Sequence, residues 1–376
     1  MKLPRFFADL GPFLKPNKVL VIYGPRQVGK TTLLKDFLAT CPWKHRLDSG
    51  EDVRIQEVFQ SRDFRTIKEY AAGSELLAID EAQKIPGIGE ALKILVDQVP
   101  GLRVIATGSS SFELAGQVGE PLTGRKITLT LYPVAQMELD GIFTPFELRE
   151  RLEDFLIFGG YPEVVATTDK GEKTRLLTEI SSSYLLKDIL AFDRVKSPKV
   201  LLDLLRLLAF QVGSEASLSE LGQKVGLDYK TVGRYIDLLE KSFVIFTLRG
   251  FSRNLRNEMT KKAKYYFFDT GIRNALIANF NPPSLRNDIG QLWENFLMME
   301  RMKSLAYRAI PVNRYFWRTW QGQEIDLVEE REGRLLAYEF KWTSGGRGPR
   351  PFRAAYPEAA FEIINRENYQ PFTGVA

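Results

Sequence analysis

"KVLVIYGPRQVGKTTLLKDFL", residues 18–38, is the stretch that decides the fold. Val19 to Tyr23 form an unbroken apolar run, the mark of a strand buried on both faces. Gly24 to Thr31, "GPRQVGKT", fits the phosphate-loop pattern G-x-x-x-x-G-K-[ST], and Thr32 to Leu38 continue as a helix. The glycines let backbone N–H groups close around phosphates, and the helix dipole favours the anion. Gly24, Pro25, Arg26, Gln27, Val28, Gly29, Lys30, Thr31 and Thr32 are therefore the expected ATP-binding residues. Lys30 is expected to reach the β- and γ-phosphates, and Thr31 to hold Mg2+. A chance loop is the alternative, and the flanking strand and helix argue against it.

Working outward, "ELLAIDEAQKIP" supplies a second buried strand ending in Asp80 and Glu81. Adjacent carboxylates at a strand's C-terminal end suit a division of labour, with Asp80 serving the metal and Glu81 the attacking water. A solvated acidic turn is the plainer reading. A third strand, "LRVIATGSSSF", ends in polar residues, of which Thr107, Ser109 or Ser110 is placed to sense the γ-phosphate; Ser109 also suits a helix N-cap. Arg125 precedes a fourth strand, Ile127 to Leu131, and fits an arginine finger acting on a neighbouring subunit, a sensor in its own site, or a plain surface arginine. Four strands alternating with helices predict a doubly wound α/β P-loop core over residues 1–146, with ATP at the C-terminal edge of the strands.

Residues 147–210 read as helical, broken at "FGGYPEVV", and suit a lid. Residues 211–280 carry a helix-turn-helix pattern: Ser217 caps a short helix, Gly226 breaks it, and Val232, Tyr235, Ile236 and Leu239 mark the inner face of the next. "FVIFTLRG" and "KYYFFDTG" then read as strands flanking a basic loop, which completes a winged helix. Arg249 to Lys264 hold six Lys/Arg against one Glu, a charge asymmetry that points to DNA phosphates. The nucleic-acid candidates are Lys230, Arg234, Arg253, Lys261, Lys262 and Lys264. Winged helices also dock proteins, so a nucleotide-switched scaffold stays open as a rival.

"NPPS" at 281–284 reads as a linker, and residues 285–376 follow the order α-β-β-β-α-β. A two-residue Glu332-Gly333 turn in "EIDLVEEREGRLLAYEFK" (324–341) sets Asp326 opposite Glu339 and Glu324 opposite Lys341, all on one strand face. Directly opposed carboxylates repel unless a cation lies between them. A divalent ion held by Asp326 and Glu339, with Lys341 steadying a water or phosphate, would resolve that; so would a salt-bridged ladder. The stretch Arg301 to Trp320 adds five Lys/Arg, no acids, and Tyr315, Phe316 and Trp317, a composition suited to a second DNA surface.

Taken together, "GPRQVGKTT", "LLAIDEAQ", "ATGSSS", "LTGR", "FGGYPE", "YYFFDTGIRNAL", "LWENFL" and "INRENYQPF" resemble bacterial and archaeal AAA-type ATPases with an uncharacterised C-terminal region. The tail also resembles the PD-(D/E)XK nuclease fold. Asp326 takes the aspartate position and Glu339-Phe340-Lys341 the E-x-K, while Ile325 stands where proline is usual. That resemblance implies Mg2+ or Mn2+ at Asp326, Glu339 and Glu294, with Asp326, Glu339 and Lys341 catalytic beside Lys30, Glu81 and Arg125 of the ATPase. The resemblance to AAA-type ATPases implies a homo-oligomer, such as a ring. The rival within this class is an ATP-driven DNA remodeller with an inactive tail.

Composition sets the outer limits. One cysteine, Cys41, and one histidine, His45, exclude an intramolecular disulfide, a Cys/His zinc site and two-histidine chemistry. No run approaches the roughly 18 apolar residues that span a bilayer. The N-terminus lacks an apolar signal core, so a cytoplasmic protein without a membrane partner is expected. A net charge of +5 is too mild to identify a partner by itself.

Overall fold

The computed structural model describes residues 2–108, 122–184, 197–251, 262–319, 321–343, 345 and 348–375. The chain divides into two compact units: residues 5–132 with 241–243, and residues 1–4, 133–240 and 244–376.

The first unit is built on a five-stranded parallel sheet in the order β2-β3-β4-β1-β5. Its strands are β1 (Val19–Tyr23), β2 (His45–Ser49), β3 (Leu76–Asp80), β4 (Arg103–Thr107) and β5 (Lys126–Thr130). Every residue of β1 is buried, as its apolar run predicts. The helices α1 (Lys30–Leu38), α2 (Val53–Gln60), α3 (Phe64–Ala71) and α4 (Ile88–Gln98) complete the wound layers. Asp52 and Asp63 cap α2 and α3 by accepting hydrogen bonds from backbone N–H groups of the first turn. Ile55, Phe59, Ile67, Leu92, Leu95 and Val96 on those helices pack with Val19, Val21, Leu77, Ile79 and Val104 of the sheet. Parallel strands place all their C-terminal ends on one edge, where the phosphate loop follows β1 and Asp80 ends β3.

The second unit opens with short helices, among them Leu152–Phe158, Lys170–Glu179 and Pro198–Phe210. Then follow β6 (Glu215–Ser217), helices Leu218–Val225 and Tyr229–Lys241, β7 (Ile245–Gly250) and β8 (Lys262–Phe267). β6, β8 and β7 are neighbours in that order within one sheet. Ser217 accepts from the Glu220 N–H and Gly226 adopts the left-handed conformation, as their residue types predict. Helix Ile289–Tyr307 leads to β9 (Asn313–Arg318), β10 (Glu324–Arg331), β11 (Arg334–Phe340), helix Arg350–Ala355 and β12 (Ala360–Ile364). The expected order α-β-β-β-α-β is present.

One sheet runs through both segments. Arg249 pairs with Tyr315 and Gly250 with Phe316, joining β7 to β9 in a seven-stranded sheet, β12-β11-β10-β9-β7-β8-β6. The hairpin turn is Glu332-Gly333, both at positive φ, and Leu327 pairs with Tyr338 as that turn dictates. The ladder stops there. Beyond it Asp326 Oδ2 accepts a hydrogen bond from the Phe340 N–H at 2.7 Å, so the two strands part where the acidic residues begin.

Candidate functional site

The phosphate loop leaves β1 at Gly24, whose φ of +151° is open chiefly to glycine. A Cβ there would lie 2.0 Å from the Leu131 carbonyl oxygen, so the loop needs glycine for space as well. Lys30 is buried and donates to the carbonyls of Gly24 at 2.8 Å and Pro25 at 2.6 Å, an ammonium held at the loop mouth by backbone oxygens. Arg5 braces the loop from outside, donating to the Val28 carbonyl and, at 2.6 Å, to that of Tyr132. No motif marks Arg5; it stands 23 residues from its loop partner.

Asp80 is the hub. Its Oδ2 accepts from the Thr31 hydroxyl at 2.7 Å, and its Oδ1 accepts from the Thr107 hydroxyl and from the Glu81 N–H at 3.1 Å. Thr31 and Asp80 thus bring two hard oxygen donors together, the chemistry that suits Mg2+. Glu81, at φ +51°, accepts from the Gln83 side-chain amide at 2.5 Å. Of the three candidate sensors, Thr107 touches Asp80; Ser109 and Ser110 lie outside the described residues.

The Arg125 carbonyl accepts from the Val19 N–H, and its guanidinium donates to Asp97 at the end of α4, at 2.7 Å. Val19 begins β1, whereas the phosphate loop follows its end, five residues on. At roughly 3.3 Å per residue the two are about 16 Å apart. Arg125 therefore joins β1 at the end away from the phosphate loop, paired with Asp97.

The tail candidates converge, but around a lysine. Lys264, in β8, is 2% exposed. Its ammonium pairs with Glu324, with Glu294 at 3.1 Å and with Asp326 at 3.9 Å. Glu294 also accepts from the Tyr266 hydroxyl at 2.6 Å. Arg318 lies 3.7 Å from Glu324 and 2.8 Å from Glu215. Glu339 pairs with Lys341 at 2.6 Å. Burial, with Glu294 beside it, raises the Asp326 carboxyl above its ordinary value, against the pull of Lys264. Burial drags Lys264 down, yet Glu294, Asp326 and Glu324 outweigh it and hold the ammonium above its ordinary value. Lys341 is likewise raised, because its bond to Glu339 outweighs burial.

Two expectations change here. Lys264 is not available to DNA phosphates, because three carboxylates and the sheet enclose it. Among the described residues no group of His, Cys, Asp or Glu, Glu294, Asp326 and Glu339 included, is arranged to hold a metal. Lys230, Arg234 and Lys262 are exposed, as DNA contact would need; Arg253 and Lys261 lie outside the described residues. The second basic stretch is also less open than its composition suggests. Arg301 forks onto Glu329 at 2.8 and 2.9 Å, Lys303 pairs with Glu300, and Phe316 and Trp317 are buried. No helix among the described residues is long and apolar enough to cross a membrane.

A parallel sheet, a glycine loop closing on a helix N-terminus, and a Thr–Asp pair at the strand ends define a P-loop nucleotide-binding unit. Residues 16–139 match the model of an AAA domain. Residues 149–283 and 289–374 match two domains of unknown function, DUF8612 and DUF4143. An uncharacterised protein of Mycobacterium tuberculosis is 27% identical over 351 residues, covering 93% of this chain and 76% of that protein. An uncharacterised protein of Methanocaldococcus jannaschii is 23% identical, with 95% and 83% covered. Among solved structures, a signal-transduction ATPase with a tetratricopeptide repeat sensor from Pyrococcus horikoshii aligns at TM-score 0.28 and 14% identity. That alignment covers 76% of this chain and 43% of that one. A structure described for katanin self-assembly aligns at TM-score 0.25 and 16% identity, over 46% and 60% of the chains. At such scores neither structure bears on the fold or function.

Proposed function

We propose that the first unit hydrolyses Mg-ATP and that the cycle acts on DNA held by the winged-helix segment of the second. The carrying observation is the Thr31–Asp80 hydrogen bond, with Thr107 on the other carboxylate oxygen and Glu81 next in sequence. ATP draws Lys30 from the Gly24 and Pro25 carbonyls onto the β- and γ-phosphates, while the loop N–H groups and the α1 N-terminus take the remaining oxygens. Thr31 and Asp80 would hold Mg2+, which when bound would supply positive charge beside the transferring phosphoryl group. Glu81 orients the attacking water, and Thr107 keeps Asp80 in place. Residues 147–210 serve as the lid. Arg125, remote from its own nucleotide, acts only across a subunit boundary in a homo-oligomer, and only after leaving Asp97.

Lys230, Arg234 and Lys262 give the DNA reading its cationic surface, with Arg253 and Lys261 of the intervening loop. The test has two arms. Lys30→Ala should abolish ATP binding, and Glu81→Gln should abolish turnover while sparing binding; turnover retained in both sinks the ATPase assignment. Changing Lys230, Arg234 and Lys262 to Glu should weaken DNA binding and flatten the log K against log salt slope by about 0.9 per lost phosphate contact. An unaltered slope rejects DNA and favours a protein-docking winged helix.

A further inference from the structure

The sequence asks for a divalent cation between the tail carboxylates, and the structure puts a cation there from within the chain. We propose that Lys264 is the resident cation of this cluster, so that the C-terminal unit takes no Mg2+ or Mn2+ at Asp326, Glu339 and Glu294. The inference stands apart from the DNA reading, since it concerns only what fills the cluster.

Three observations carry it. First, one oxygen of each of these carboxylates is already engaged. Glu294 Oε1 accepts from both the Lys264 ammonium and the Tyr266 hydroxyl, Asp326 Oδ2 accepts from the Phe340 N–H, and Glu339 turns to Lys341. A metal ion would have to compete with these contacts for the same carboxylates. Second, Lys264 is not a surface lysine that happens to lean in. β8 lies between β7 and β6, with Lys264 paired to Leu248 on one side and to Glu215 on the other. Its backbone is fixed on both flanks, and its side chain is buried beneath them. A buried ammonium persists only where carboxylates compensate its lost hydration, and Glu294, Glu324 and Asp326 do so. Third, a divalent ion bound by those oxygens would sit within a few ångströms of the ammonium, where like charges repel strongly in a low-dielectric setting. Ammonium and metal are alternatives at this position.

The experiment is an EPR titration of free Mn2+ with nucleotide-free full-length protein at neutral pH. All proteins carry Asp80→Asn to silence the nucleotide site. With Lys264 present, Asp326→Asn should change nothing, because no ion is bound to lose. Lys264→Met should gain a single Mn2+ site, at least about ten-fold tighter than any site in its parent. Adding Asp326→Asn should remove that gain. A parent protein that binds one Mn2+ equivalent abolished by Asp326→Asn overturns the proposal. So does a folded Lys264→Met protein that binds no more Mn2+ than its parent. Should Lys264→Met fail to fold, the comparison of the parent with Asp326→Asn decides by itself.

Discussion

Thr107→Val tests the geometry of the nucleotide site at its least obvious member. The Thr107 side chain is fully buried, donates to Asp80 Oδ1, and accepts from the Glu81 N–H at 3.3 Å. Valine keeps the branched shape and removes the hydroxyl. A hydrogen bond to a charged group contributes about 1.5–3 kcal/mol. Asp80 Oδ1 still accepts from the Glu81 N–H at 3.1 Å, so neither group is orphaned and the lower part of that range applies. A loss of about 1.5–2 kcal/mol in the transition state corresponds to a fall of about 10- to 30-fold in kcat/KM. The fall should appear in kcat, because Lys30 and the loop that grip the phosphates are untouched. Phosphate release measured against ATP concentration reads both parameters, and a fluorescent nucleotide reads affinity, expected within about three-fold of wild type. Thr107→Ser restores the hydroxyl and should restore turnover. Wild-type turnover in the valine variant, a loss confined to KM, or a serine variant as slow as valine would each refute the role of Thr107 in positioning Asp80.

Other outcomes follow from named contacts. Gly24→Ala forces a methyl to 2.0 Å from the Leu131 oxygen at φ +151°. It should cost at least about 1–3 kcal/mol in a urea melt and abolish ATP binding. Asp288→Asn strips the counter-charge from Arg273 and Arg286, whose side chains are 2% and 0% exposed, and should cost about 3–5 kcal/mol by denaturant titration. Asp288 is itself held below its ordinary 3.8 by those arginines, in spite of burial. Its stabilisation is therefore complete above that value and lost as pH falls through the lower folded one, so the Asn variant should lack this part of the acid limb. Arg125→Ala should leave ATP affinity unaltered, and a loss of turnover that appears only in the assembled oligomer would mark action in trans.

What the sequence showed and what it hid divide along physical lines. β1, β3 and β4 were each visible as apolar runs, and β5 as the strand Ile127 to Leu131. β2, "HRLDS", was not, because it sits at the sheet edge with two exposed and three half-buried residues and has no such run. The register of the tail hairpin was legible because a Glu-Gly turn admits few geometries, and both residues do take positive φ. Ser217, Gly226 and the inner face of helix Tyr229–Lys241 were legible because caps, breaks and a 3.6-residue period are local. Lys264 was hidden. It ends a basic run, and counting charge over a window treats every lysine as solvated. Its partners Glu294, Glu324 and Asp326 lie 30 to 62 residues further on, and only tertiary packing brings them to it. Arg5 was hidden for the same reason, since nothing near it in sequence marks its hold on the phosphate loop.

The β7–β9 pairing changes what a boundary near residue 281 can mean. Two modules joined by a linker keep separate cores and separate sheets, and few contacts cross between them. Here the strands on either side of that linker share hydrogen bonds at Arg249–Tyr315 and Gly250–Phe316. They also share ion pairs: the buried Lys264 of β8 meets Glu324 and Asp326 of β10, and the exposed Arg318 of β9 meets Glu215 of β6. Removing either side would leave buried charge unpaired on the other, which is far costlier than exposing a polar rim. The strands before and after residue 281 therefore belong to one sheet, β12-β11-β10-β9-β7-β8-β6.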